Sequence, residues 1–161
     1  MSGLVSGLGA RLVVVGAVGG AASAAGSLLV SMRLGCRGVQ AVNLGTGVTL
    51  GRAADELSRR QEAEALLFIS DDNGRGVVRQ LAGLGELQAV GAVARPVFVG
   101  GTGSGSWREL RSVAARLHEL GVAQVLSDVV DAVYLLPSRR AYATGRVACS
   151  PSRAGRRVPV G

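Results

Sequence analysis

The sequence contains no lysine and a single histidine, His118, among its 161 residues. A phosphate-binding loop of the Gly-x-x-x-x-Gly-Lys-Ser/Thr type therefore cannot occur, and neither can a receiver domain that needs a lysine after its fifth strand. With one histidine, which we expect on a helix flank, no Ser/His/Asp set can be assembled at a common edge. A catalytic or metal-binding role for His118 is the alternative interpretation.

Cysteines, aromatic residues and long apolar runs are also scarce. Cys36 and Cys149 are far apart and in no metal-binding spacing, so we expect a reduced, cytoplasmic chain without a disulfide framework. No apolar run reaches the roughly 18 residues of a membrane helix, and no basic segment before Arg11 suggests a secretory signal. Aromatic residues make up 3% of the chain, so Val, Leu and Ala must fill the core of one domain.

All basic residues are arginines, and their excess lies at one end. Residues 1–136 contain 12 of the 18 arginines and all 11 acidic residues, whereas residues 137–161 contain six arginines and no acid. We therefore expect a flexible N-terminus over 1–10, a folded domain over 11–136 and a disordered basic tail over 137–161. We interpret the tail as solvated. Contact with an acidic partner is the alternative, and nucleic-acid binding is disfavoured because no aromatic–basic repeat is present.

Apolar runs alternate with helical patterns along the domain. We predict strands over 11–18, 38–45, 65–70, 95–101 and 122–127, and helices over 22–34, 50–64, 77–87, 106–121 and 129–136. Strands that are apolar throughout indicate a parallel sheet covered on both faces. Right-handed crossovers then predict an α/β fold: a doubly wound, five-stranded, flavodoxin-like sheet in three α/β/α layers, with strand order 2-1-3-4-5.

Four loops of small and polar residues follow the strands and predict a ligand site at the carboxyl ends of the sheet. They span 19–25, 45–49, 70–76 and 100–106. The first is no dinucleotide fingerprint, because Gly16-x-x-Gly19-Gly20 lacks the Gly-x-Gly-x-x-Gly spacing. Asp71 and Asp72 are interpreted as solvated loop acids, with a ligand or partner contact as the alternative.

The motifs in these loops resemble a known family when they are taken in order: VNLG closing strand 2, ISDDNGRG after strand 3 and VFVGGTGSGSW after strand 4. Over residues 11–136 the chain is similar to the cobalamin-binding domain, in particular the small (S-type) subunit of methylaspartate (glutamate) mutase. The resemblance implies a subunit that carries adenosylcobalamin for a radical isomerase. The chain would not be catalytic alone, because the large catalytic subunit is a separate chain.

The family carries Asp-x-His-x-x-Gly after strand 1, where the histidine replaces the cofactor's own base as the lower cobalt ligand and the aspartate orients it. The displaced nucleotide tail enters a crevice between the sheet and the helices. These three positions are Ala21, Ser23 and Gly26 in this sequence. The resemblance implies further cofactor contacts at Gly20, Ser70, Asp71, Gly74, Gly100, Gly101, Thr102 and Gly103.

The sequence departs from the family at the cobalt ligand itself. Ser23 offers a neutral, hard oxygen and is a poor cobalt ligand, so we assign no metal ligand. Three alternatives follow. The chain binds cobalamin with the cofactor's own base in place, or it binds a different ligand, or it keeps only the fold as a non-catalytic interaction or regulatory protein that docks on a large mutase subunit or another partner.

Overall fold

The computed structural model describes residues 11–18, 22–70, 74–102 and 107–136. Five parallel strands form one sheet: β1 Arg11–Val18, β2 Val39–Asn43, β3 Ala63–Ser70, β4 Val97–Gly100 and β5 Gln124–Leu126. Their order, β2-β1-β3-β4-β5, is the predicted one. The chain changes direction across the sheet between β1 and β3, which makes their carboxyl ends the topological switch point.

Helices cover both faces of the sheet. They are α1 Ala22–Cys36, α2 Leu50–Arg59, α3 Gly74–Gln80, α4 Leu84–Ala89, α5 Trp107–Ser112, α6 Ala114–Leu120 and a 3₁₀ helix, Val129–Leu135. Helix α1 and the 3₁₀ helix pack on one face, while α2 to α6 pack on the other. The three-layer α/β/α architecture predicted from the sequence is confirmed.

The two faces explain why the strands lack an alternating polar pattern. Side chains alternate along a strand, so Val13 and Val15 enter the core beneath α1, and Val14 enters the core on the opposite face. All eight residues of β3 are buried, including Glu64 and Ser70. Because both faces are covered, every position in the central strands is apolar unless its polar group has a partner.

Two predicted helices are each divided in two. The prediction of one helix over 106–121 is wrong at Val113, where the backbone φ of −109° and ψ of 7° leave the helical range. The Ser112 hydroxyl donates to the carbonyl of Glu109 at 2.7 Å, and such local bonds compete with helix continuation. The predicted helix 77–87 is interrupted before α4 at Gly83, since glycine has a low helix propensity.

Other boundaries shift by a few residues. Helix α1 continues to Cys36 instead of 34, whereas α2 ends at Arg59 instead of 64, because β3 already begins at Ala63. The predicted segments 1–10 and 137–161 lie outside the described residues. Within the described residues, no helix is both long and apolar enough to cross a membrane, and Cys36 is an exposed free cysteine.

A partly buried ion pair joins the two central strands at their amino ends. Arg11 donates from Nε to Glu64 Oε2 at 2.8 Å and from its terminal Nη2 to Oε1 at 3.1 Å. The pairing register of β1 and β3 shifts between Leu12 and Val14, beside this pair. The carboxylate of Glu64 is thereby accommodated in a strand that is otherwise apolar.

Candidate functional site

The candidate site lies at the carboxyl edge of the sheet, where β1, β3 and β4 end. Val18 of β1 lies opposite Ser70 of β3 in the register, and Ile69 lies opposite Gly100 of β4. Ser70 is fully buried, and Gly101 is buried directly after β4. The fold therefore brings three predicted site residues, Ser70, Gly100 and Gly101, onto neighbouring strand ends.

The other predicted site residues are distributed around this edge. Ser23 and Gly26 belong to the start of α1, where Gly26 is buried, and Gly74 begins α3. Thr102 forms an isolated antiparallel bridge with Asp128. The predicted contacts at Gly20, Ala21, Asp71 and Gly103 fall outside the described residues, as does the side chain of Ser23.

The loop after β2 folds back over the end of β1. The amide of Ala17 donates to the carbonyl of Gly45 at 2.9 Å, and a Cβ at Gly16 would lie 3.1 Å from Val48. Gly45 and Gly47 have φ values of 84° and 63°, which favour glycine. An open cavity of about 330 Å³, lined by residues 47–50 and Gln80, lies beside this loop on the α2–α3 side.

The space beside Gly100 is filled by protein. A Cβ at Gly100 would lie 2.8 Å from the carbonyl oxygen of Leu126 and 2.9 Å from the Cα of Val129. Both neighbours are backbone atoms, which cannot move aside as a flexible side chain can. Packing of the chain against itself therefore requires glycine here, and the predicted cofactor contact stays a prediction.

Gly74 is also explained by packing. A Cβ there would lie 2.7 Å from Val113 Cγ2 and 2.8 Å from the Glu109 carbonyl oxygen. The missing side chain lets α3 approach the junction of α5 and α6. A cofactor contact at Gly74 is an additional prediction that this packing does not require.

Asp128 contacts α1, the 3₁₀ helix and Thr102 after β4. It was not identified as a site residue from the sequence. Its carboxylate accepts two hydrogen bonds from Arg33 of α1, at 2.5 Å and 3.1 Å, and one from the amide of Val130 at 3.1 Å. The hydrogen bonds that Arg33 donates to Asp128 raise the pKa of Arg33 above its usual value, so this guanidinium stays cationic. An aspartate directly before an apolar helical run is a helix-start signal, but nothing local in the sequence indicates Arg33.

We use "the crevice" for the space between the sheet and the layer formed by α1 and the 3₁₀ helix. Five side chains from that layer are completely buried in it: Val30, Leu34, Val129, Val130 and Ala132. Beyond them, Arg37 donates to the Tyr134 hydroxyl at 2.8 Å, and its guanidinium lies 5.3 Å from the ring centroid. The crevice is therefore occupied by the chain's own side chains.

The described residues do not fit a histidine-ligated cobalamin whose tail occupies the crevice. His118, the only histidine of the sequence, lies on α6 across the sheet from α1, with Nδ1 3.0 Å from the carbonyl of Val122. No group of three His, Cys, Asp or Glu side chains in the described segments could hold a metal ion. The predicted flank position of His118 is confirmed.

No protein-family model matches the sequence, and no curated protein matches it either. The structure is similar to that of a cobalamin-binding protein from Desulfitobacterium hafniense DCB-2, with a TM-score of 0.60 and 16% identity. The alignment covers 79% of this chain and 58% of that protein, so this chain spans little more than half of its length.

A second similar structure is the complex of the CheA3 P1 domain with CheY6 from R. sphaeroides, with a TM-score of 0.46, 16% identity and coverages of 88% and 95%. A TM-score of 0.46 does not establish a shared fold. The first likeness shows the fold: a flavodoxin-like α/β sheet of the type found in a cobalamin-binding protein.

Proposed function

We propose that this chain is a corrinoid-binding subunit, similar to the small subunit of methylaspartate mutase, that serves a separate large subunit. The observation that carries the proposal is the fold shared with a cobalamin-binding protein. Its carboxyl edge, where sheets of this topology bind ligands, is formed by loops of small and hydroxyl-bearing residues. Exposed Thr46 and half-buried Thr102 belong to these loops.

The mode of binding follows from the residues that are present. Histidine ligation would require an imidazole where the sequence has Ser23, and an open crevice for the displaced tail. The sequence has no histidine at position 23, and the buried side chains around Val129 leave no open space for the tail. We therefore propose that the corrinoid keeps its own base and lies over the carboxyl edge.

The proposal includes a reaction class, carbon-skeleton rearrangement with adenosylcobalamin. Adenosylcobalamin supplies radical chemistry for carbon-skeleton rearrangement when it is bound, and substrate would be held by the large subunit. This chain's own residues would hold and orient the corrinoid through the loop 45–49 and the region of Gly101 and Thr102. We assign no catalytic residue to the chain.

Retention of colour tests the proposal. Purified protein is mixed with hydroxocobalamin, adenosylcobalamin or dicyanocobinamide, which lacks the nucleotide tail, and is then freed of unbound corrinoid on a desalting column. We expect retained cobalamin with a base-on spectrum, and retained cobinamide as well, because the tail does not enter the crevice. Absence of bound corrinoid would overturn the proposal, and a base-off spectrum would overturn the binding mode.

A second candidate function is that of a non-catalytic interaction protein that no longer binds corrinoid. The outer face of α1 favours it, because Leu28, Leu29 and Met32 are 60%, 49% and 63% exposed. Arg33 is the one charged residue in this helix, and it is paired with Asp128. Contiguous exposed apolar side chains are typical of protein–protein contact sites. An uncoloured protein in the desalting experiment would favour this function.

A further inference from the structure

The two elements that cover the crevice, α1 and the 3₁₀ helix, come from distant parts of the chain. Residues Arg33 and Asp128 are 95 positions apart in sequence, yet they form a bidentate ion pair between α1 and the start of the 3₁₀ helix. We propose that this pair is a latch that holds α1 closed over the sheet, so that the crevice stays shut without any ligand.

The geometry of the pair suits this role. Two parallel N–H···O bonds to a carboxylate fix direction as well as distance, which a single contact does not. The side chains are 34% and 18% exposed for Arg33 and Asp128, so water screens the pair only in part. Asp128 is also fixed from the other side, because its carboxylate caps the 3₁₀ helix at the amide of Val130.

Among the side chains that the structure describes, helix α1 has few other polar contacts with the rest of the fold. Ser27 accepts a hydrogen bond from Asn43 at 3.3 Å, and Arg37, just beyond the helix, contacts Tyr134 at an exposed position. Otherwise α1 is attached by Val30 and Leu34, which are fully buried. The charge-assisted, bidentate pair with Asp128 is shorter than the Asn43 contact and fixes direction more firmly.

The latch is also connected to the carboxyl edge. Asp128 bridges Thr102, and the amide of Val129 donates to the carbonyl of Gly101 at 2.9 Å. The latch therefore ties α1 to the segment after β4 as well as to the 3₁₀ helix. In this proposal a ligand that displaces α1 from the sheet must break the ion pair, whether or not a corrinoid binds over the edge.

Hydrogen exchange of the full chain, without added ligand, tests the latch. In Asp128→Asn the amide oxygen still caps the 3₁₀ helix, but the ion pair is lost. We expect exchange in α1 peptides over 28–36 to accelerate roughly tenfold or more, as loss of a hydrogen bond to a charged group predicts. Exchange in β1 and β3 should change much less.

Asp131→Asn is the matched control. It removes a carboxylate one turn further along the same 3₁₀ helix, which is more exposed than Asp128 and lies 4.0 Å from Arg37. We expect it to leave α1 exchange within twofold of the parent chain. Arg33→Gln leaves the cap intact and should reproduce the effect of Asp128→Asn, while the double variant should add little to either. Equal exchange in Asp128→Asn and Asp131→Asn would overturn the latch, as would an α1 that exchanges freely in the parent chain. Additive effects in the double variant would also overturn it.

Discussion

Replacing Gly100 by alanine probes the filled crevice directly. The new Cβ would lie 2.8 Å from the Leu126 carbonyl oxygen and 2.9 Å from the Cα of Val129. Both contacts are with backbone, so β5 or the start of the 3₁₀ helix must move. Overpacking of a close-packed interior costs about 1–3 kcal/mol, and we expect Gly100→Ala to lie near the upper end of that range.

Equilibrium urea unfolding measures this loss. With a slope of about 1–3 kcal/mol per molar urea, typical of small domains, a loss of about 3 kcal/mol should lower the midpoint by about 1–3 M. Gly51→Ala is the matched control, because nothing lies within 4 Å of its added Cβ. In helix α2 the control should leave stability unchanged or raise it by up to about 1 kcal/mol.

The alternative reason for a glycine at position 100 is room for a ligand. If Gly100→Ala were as stable as the parent chain to within about 0.5 kcal/mol, the expected range for a surface substitution, the crevice would not be filled as described. Loss of ligand binding with unchanged stability would refute the packing explanation in the same way.

Two further substitutions test the packing of α3 and the ion pair between β1 and β3. Gly74→Ala places a Cβ 2.7 Å from Val113 and 2.8 Å from the Glu109 carbonyl oxygen, so thermal unfolding should show a loss of about 1–3 kcal/mol; an unchanged melting temperature would argue against close contact of α3 with α5. Glu64→Gln removes the charge partner of Arg11 in a buried strand and should lower the free energy of unfolding by about 1–3 kcal/mol. The exposed Glu62→Gln should have no effect, and an equal loss in both variants would contradict a specific pair.

Much of the fold could be predicted because its signals are local. The runs RLVVVGAV and ALLFIS are apolar without alternation, and both became central strands covered on two faces. The strand order followed from the number of strands and from right-handed crossovers. The break at Val113 could not be predicted, because the helical periodicity continues through it and the bond from Ser112 to Glu109 is invisible in that pattern.

The candidate site was less predictable, for a physical reason. A helix-start signal marks Asp128, but its partner Arg33 is separated from it by most of the chain, and side chains that meet only through the fold leave no local pattern. Gly74 and Gly100 were predicted as cofactor contacts from the resemblance to the cobalamin-binding domain. Their close contacts with Val113 and Val129 became visible only with the neighbouring elements in place.

The central proposal is that a bound corrinoid keeps its own base, because position 23 is a serine and the described side chains fill the crevice. Electron paramagnetic resonance of the cob(II)alamin complex, prepared once with natural-abundance protein and once with uniformly ¹⁵N-labelled protein, identifies the nitrogen bound to cobalt. We predict identical nitrogen couplings in both samples, because the axial nitrogen belongs to the cofactor. A coupling pattern that changes with the label would show a protein nitrogen on cobalt and would contradict the account.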